Sequence, residues 1–186
     1  GAVPMIDIAY QGFGDGLEAD AAGVRLVASS LPECLIAASC SKNFGLYRER
    51  TGALLILSQS EQATATGKSQ ALSAARQSYS MPPSHGALIV GEILGDTGLR
   101  ASWIDELEQM RSRIVQMREA LVEQLGSDFA FIAGEFGMFS FLGITGPQLT
   151  RLREDYGIYM VDSTRINLAG LNSRNLSYFV NAMRSV

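Results

Sequence analysis

Apolar positions along the chain alternate between short runs and helically spaced stripes. A run at residues 3–9 predicts a buried strand, and Gln11-Gly12-Phe13-Gly14-Asp15-Gly16 predicts a glycine-rich turn. Leu17, Ala21, Val24, Val27 and Ala28 then keep helical spacing, and Pro32 ends the helix at residues 17–31. Residues 34–39 and 51–57 are small and apolar throughout, the pattern of strands covered on both faces. Strands alternating with helices predict an α/β layer with a largely parallel sheet.

Residues 61–75 read as a helix, 79–83 as a turn fixed by Pro82 and Pro83, and 84–94 as a second helix. A longer helix follows: Ser102 with Asp105 resembles a capping box, and Ile104, Leu107, Met110, Ile114, Met117, Leu121 and Leu125 hold one apolar face up to Gly126. Beyond it the rhythm shortens. Residues 129–133, 138–142, 158–161 and 165–169 predict strands, 148–156 a helix, and Asn172-Ser173 the cap of a last helix. This second stretch predicts a smaller α+β unit.

Composition narrows the classes. With 186 residues, 47% of them hydrophobic and 18% charged, the chain has material for one or two domains with a real core. A formal net charge of −4 with interspersed arginines offers no basic face, which argues against nucleic acid or an anionic membrane as partner. No apolar stretch approaches a bilayer span, so a soluble, cytoplasmic protein is expected. Cys34 and Cys40 stand an even number of residues apart on one apolar run and read as two small buried thiols. The chain starts with Gly1 and enters an apolar run at once, the expectation for a fragment of a longer protein.

Few residues carry candidate chemistry. There are two lysines, Lys42 and Lys68, and Lys42 follows an apolar run between hydroxyl residues and a glycine. A lysine drawn partly out of water has its charged form disfavoured, and its amine can then condense with an aldehyde. Ser39 precedes it at a strand end and Arg50 opens the next strand, so a hydroxyl and a guanidinium can converge on a phosphate near the amine. Alternatively, Lys42 pairs with Glu49 and Arg50 is a solvated strand-edge charge. Asp7, inside an apolar strand, needs a cation such as a protonated pyridine nitrogen if buried, or caps the following turn. Tyr10 either donates to a ring oxygen or simply packs. Arg76 and Arg165 are isolated beside apolar runs and suit carboxylates, from the protein or from a ligand. His85, the single histidine, reads as a first-turn residue and leaves no His-based triad or zinc site; no metal is expected.

Taken together, four stretches resemble the class I aspartate and aromatic amino-acid aminotransferases. They are Ile6-Asp7-Ile8-Ala9-Tyr10-Gln11-Gly12-Phe13, Ser39-Cys40-Ser41-Lys42-Asn43-Phe44-Gly45-Leu46-Tyr47-Arg48-Glu49-Arg50-Thr51-Gly52, Tyr79-Ser80-Met81-Pro82-Pro83 and Gly137-Met138-Phe139-Ser140-Phe141. The resemblance implies the C-terminal part of a fold type I enzyme with pyridoxal 5'-phosphate as cofactor. Residues 1–98 would be the second half of the large domain, 99–126 a connecting helix and 127–186 the small domain. Lys42 matches the lysine that holds the cofactor as a Schiff base and shuttles the proton, Asp7 the partner of the pyridine nitrogen, and Tyr10 the phenol at the ring hydroxyl. Ser39 and Arg50 match phosphate ligands. Arg165 matches the clamp on the substrate α-carboxylate, with Phe139 beside it. Arg76 matches the arginine that reaches across a homodimer to a distal carboxylate, and Ser80 lies at the same subunit boundary.

The implied reaction is ping-pong transfer of an amino group from an aromatic amino acid or aspartate to a 2-oxo acid such as 2-oxoglutarate. Met81 and Cys40 depart from the aspartate-preferring pattern and lean toward the bacterial aromatic enzymes. The family's stacking ring, glycine-rich phosphate turn and neighbouring-subunit tyrosine are not in these residues, so the isolated chain is expected to be inactive. Two other readings stand beside this one: another fold type I enzyme (decarboxylase, lyase or synthase), and a non-catalytic remnant or interaction module.

Overall fold

The computed structural model describes residues 2–186, which form two compact units, the first reaching Leu107 and the second beginning at Glu108. The first holds a three-stranded sheet of β1 (Met5–Ile8), β2 (Cys34–Ser39) and β3 (Gly52–Leu57), in that order. β1 and β2 are parallel, with Met5 opposite Leu35 and Ile8 opposite Ala38, whereas β3 is antiparallel to β2, with Ser39 opposite Gly52. The sheet is therefore mixed, where a largely parallel one was expected. A parallel pair needs a crossover helix, and α1 (Leu17–Asp20) with α2 (Ala22–Ser30) supplies one between β1 and β2. Residues 40–51 contain only turns, so the chain re-enters beside the end it left.

The predicted helix at 17–31 divides at Ala21. The Asp20 carboxylate turns back to accept the backbone N–H groups of Gly12 (2.7 Å), Gly14 (2.9 Å) and Asp15 (2.8 Å), which satisfies the glycine-rich turn. Pro32 restricts Leu31 to extended geometry and α2 stops at Ser30, as its sequence predicts. Strand coverage is uneven. Cys34 and Ile36 are buried, but Leu54 and Leu55 of β3 are exposed, so β3 is not covered on both faces in this chain. Gly52 allows the close pairing: a Cβ there would stand 2.5 Å from the Ala38 carbonyl oxygen.

α3 (Glu61–Tyr79) is capped by Ser60, whose side chain accepts from the Ala63 N–H, and runs four residues past the expected end to stop at Ser80, which has φ 60°. α4 (His85–Gly95) and α5 (Thr97–Leu125) follow, separated by Asp96. The Asp96 carboxylate accepts the Leu99 N–H at 2.8 Å, so the long helix starts before the expected box and Ser102 lies inside it. Of its apolar face, Leu107, Ile114 and Leu121 are buried while Ile104 and Met110 are exposed.

The second unit pairs β4 (Phe139–Phe141) antiparallel to β5 (Arg165–Asn167). α6 (Gly146–Tyr156) opens with a capping box of Thr145 and Gln148 and ends at Gly157 in the left-handed region, φ 61°. α7 (Leu176–Ser185) buries Leu176, Phe179, Val180 and Met183, which join Leu142, Leu152 and Leu168 in the core. Three short elements differ from expectation. Residues 129–133 lie in a 3-10 helix, Ser127–Gly134, because backbone carbonyls there meet helical N–H groups and a buried arginine instead of a strand. Among the described residues, 158–161 pair with no strand, and 165–169 divides into β5 and a 3-10 turn, Leu168–Gly170. The last helix begins at Leu176 after Asn175, three residues beyond the predicted cap, since Asn175 Oδ1 accepts the Asn172 N–H and its Nδ2 donates to Gly170.

Cys34 and Cys40 are free thiols; Cys34 is buried, but Cys40 lies past the end of β2 and is only half-buried. Among the described residues no helix is long and apolar enough to cross a membrane, and no cluster of side chains could hold a metal ion.

Candidate active site

In the first unit, the site grows out of the end of β2. The Cys40 N–H donates to the Thr51 carbonyl at 3.0 Å and closes residues 40–51 into a loop at the strand ends. Within it the Ser41 N–H donates to Ser39 Oγ at 3.1 Å and the Gly45 N–H to the Lys42 carbonyl at 3.1 Å. Lys42 is held half-buried, its Nζ 4.7 Å from the centroid of the Tyr10 ring. Arg50 occupies the left-handed region at φ 52°, a conformation that costs a non-glycine residue about 1 kcal/mol or more, and its Nη1 donates to the Tyr47 carbonyl at 2.8 Å. Gly86 at the start of α4 packs against this loop so closely that a Cβ would stand 1.9 Å from Thr51 Oγ1.

The result is an open concavity of about 520 Å³, lined by Asp7, Ser39, Lys42, Tyr47 and Arg50 among others. The structure thus brings together four of the residues singled out by sequence, with Tyr10 against the lysine. Lys42 does not pair with Glu49: among the described residues, Asp7, Lys42 and Arg50 make no ion pair. Asp7 is exposed toward the concavity rather than buried, because β1 is an edge strand, and it needs no internal cation. Nor does it cap the turn, a task that Asp20 performs.

These side chains suit pyridoxal phosphate by donor chemistry. An amine can bind an aldehyde, a carboxylate can hold a protonated ring nitrogen, and a hydroxyl with a guanidinium can hold a phosphate. Burial raises the pKa of the neighbouring Cys40 thiol, which keeps it protonated and unreactive beside the lysine.

In the second unit, Arg165 and Phe139 come from opposed strands, and the guanidinium carbon sits 4.6 Å over the phenyl centroid. Both line a concavity of about 400 Å³ with Tyr159, Val161 and Asn167. Thr164 precedes Arg165 at φ 61°, and its Oγ1 accepts the Gly143 N–H at 3.1 Å, which fixes the strand entry. A guanidinium held over a ring face by cation–π attraction can still pair with a carboxylate through its N–H edge.

Arg118 of α5 supports that arrangement and was not singled out from sequence. It is 4% exposed and donates to the Ile132, Gly137 and Phe139 carbonyls at 3.0, 2.8 and 3.3 Å and to Ser140 Oγ at 2.6 Å. Burial pulls its pKa down, while the Glu135 carboxylate 3.4 Å away pushes it back up. The available signal was its spacing: Ile114, Arg118 and Leu121 share one helix face, so this arginine points where apolar residues point. Arg76 and Ser80 are exposed at the end of α3 and line neither concavity.

Comparison with known proteins gives a consistent family. The description "Aminotransferase class I and II" matches residues 1–183. An aromatic-amino-acid aminotransferase of Paracoccus denitrificans is 52% identical over 191 residues, covering 100% of this chain and 48% of the relative. An aspartate aminotransferase of Pseudomonas aeruginosa is 47% identical with the same coverage, 100% and 48%. A solved aromatic-amino-acid aminotransferase of Burkholderia pseudomallei, covalently bound to pyridoxal phosphate, superposes with a TM-score of 0.95 at 48% identity, covering 98% of this chain and 47% of that one. The chain spans about half the length of the curated relatives it matches.

Proposed function

This chain belongs to the class I and II aminotransferases, and from that membership we propose that it is part of an enzyme transferring an amino group from an aromatic amino acid or aspartate to a 2-oxo acid, 2-oxoglutarate among them. The single observation that supports this most is the convergence of Asp7, Ser39, Lys42 and Arg50 on one concavity, with the lysine amine over the Tyr10 ring.

Pyridoxal phosphate, when bound, supplies an aldehyde that takes up amino groups and a ring that withdraws electrons from the substrate α-carbon. In this reading Lys42 Nζ would hold the aldehyde carbon of the cofactor, and the same amine when free would move a proton to and from the substrate α-carbon as general base and acid. Asp7 would hold the ring nitrogen protonated through a charge-assisted hydrogen bond, and the Tyr10 hydroxyl would donate to the ring oxygen. Ser39 and Arg50 hold the phosphate. Arg165 takes the substrate α-carboxylate through two parallel N–H···O bonds, with the Phe139 ring beneath its guanidinium carbon at 4.6 Å.

We further assign residues 1–98 to the large cofactor domain, 99–126 to a connecting helix and 127–186 to the small domain. The protein acts as a cytoplasmic homodimer. Exposure of Arg76 and Ser80 away from both concavities supports a role for them at the subunit boundary, where Arg76 meets a distal carboxylate in the partner's site.

A ping-pong enzyme performs half of its reaction without the second substrate. The full-length, cofactor-loaded protein mixed with glutamate or phenylalanine alone should release about one equivalent of 2-oxo acid per site and stop, then resume when an acceptor 2-oxo acid is added. Release of carbon dioxide instead would overturn the reading in favour of a decarboxylase on the same fold.

A further inference from the structure

We propose that Trp103 is a positioning residue for Lys42, acting through Asn43 and Phe44; the inference rests on Lys42 being the cofactor lysine. Trp103 is the sole tryptophan in these 186 residues, and it sits on α5, far along the chain from the lysine loop. Its indole Nε1 donates to the Asn43 carbonyl at 2.7 Å. Its ring stacks on Phe44 with centroids 4.4 Å apart and planes 10° apart. The two residues immediately after Lys42 are thus fixed to one indole by two different interactions.

Asn43 carries the connection onward. Its Nδ2 donates to the Gln11 carbonyl at 3.3 Å, and Gln11 follows Tyr10, whose ring faces the lysine amine. Among the described residues the Oδ1 of the same amide is buried without a hydrogen-bond partner, so the Gln11 contact is this side chain's one hydrogen bond to the rest of the fold. Helix, lysine loop and Tyr10 turn therefore form one linkage: Trp103 to Asn43, Asn43 to Gln11, and Lys42 against Tyr10. An amine that must reach first an aldehyde carbon and then an α-carbon gains rate from being held, and a displacement of about 1 Å can cost about a hundredfold.

Trp103→Phe keeps a ring on Phe44 and deletes the indole N–H, so it isolates the hydrogen bond. In the full-length, cofactor-loaded protein, kcat should fall about tenfold or more while KM for the amino donor moves less than about twofold, because the substrate-binding groups are elsewhere. In the cofactor-free full-length protein, acylation of Lys42 by acetic anhydride, measured against Lys68 by peptide mass spectrometry, should rise about threefold or more as the loop loosens. Trp103→Ala, which also removes the stack, should exceed both effects where it folds; Trp103→Phe decides the matter where it does not.

Wild-type kcat, or a wild-type Lys42:Lys68 labelling ratio, in Trp103→Phe overturns the proposal; a fall in kcat without the ratio change marks an effect of overall packing. Borohydride reduction of the loaded wild type separates this failure from that of the underlying reading. Label on Lys42 with an unaltered Trp103→Phe overturns the clamp alone, and label elsewhere overturns both.

Discussion

Arg165 has its guanidinium carbon 4.6 Å over the Phe139 ring, and a guanidinium carries two donors in one plane, a geometry that a lysine does not reproduce. Arg165→Lys in the full-length enzyme should therefore lower kcat/KM for every amino donor by about tenfold to a hundredfold, the equivalent of about 1.5–3 kcal/mol for lost charge-assisted bonds. Steady-state kinetics with two donors checks this. A loss confined to one donor would assign Arg165 to the side chain of the substrate instead of its carboxylate. Cys40 gives a pH prediction. Burial raises its pKa, so the folded protein retains the thiol proton at pH values where the unfolded chain has released it. The sign follows: this group's contribution is fully present below the ordinary thiol value of about 8.5, and stability declines as pH rises through the higher folded value. Alkylation of Cys40 by iodoacetamide, followed by mass spectrometry across that range, should lag a free thiol. Cys34, at 0% exposure, should react only on unfolding.

Among the elements, β4 depends on α5 more than on its short ladder. Arg118 holds the carbonyls of Gly137 and Phe139 and the hydroxyl of Ser140 from the helix side. Arg118→Met removes these donors and leaves buried acceptors unmet, which should destabilise the full-length protein by about 3 kcal/mol in denaturant titration. A loss below about 1 kcal/mol would mean that water takes over the carbonyls. The same elements mark what sequence could and could not tell. β2 was legible because an unbroken apolar run is a local signal, and the body of α6 was legible at 148–156, although the Thr145–Gln148 box that starts it at Gly146 went unread. The direction of β3 was not, since residues 40–51 look alike whether they turn back or cross over. The strand expected at 129–133 failed because Arg118, near in space and distant in sequence, satisfies the Ile132 carbonyl. Of the site, Lys42, Ser39 and Arg50 were readable from one stretch. Trp103 and Asp20 were not, because their partners lie across long loops or are backbone atoms.

At the scale of the whole molecule, apolar surface is left open. Leu54 and Leu55 of β3 and Leu72 and Tyr79 of α3 are 49%, 46%, 61% and 59% exposed. All but Leu55 line one apolar groove of about 530 Å³. Contiguous exposure of this kind favours association over a monodisperse state. Residues 1–186 expressed alone should therefore bind a hydrophobic dye, elute as aggregate in gel filtration and show no transaminase turnover, whereas the full-length protein should do none of the first two and should turn over. Full activity of the isolated chain would contradict this.

The central claim is that Lys42 is the residue which binds pyridoxal phosphate. Borohydride reduction of the full-length loaded protein, followed by proteolysis and mass spectrometry, tests it most directly. The account predicts one labelled lysine, Lys42, with the label absent in Lys42→Ala and activity down by at least about a thousandfold. Label on Lys68, or on no lysine of this chain, would contradict it.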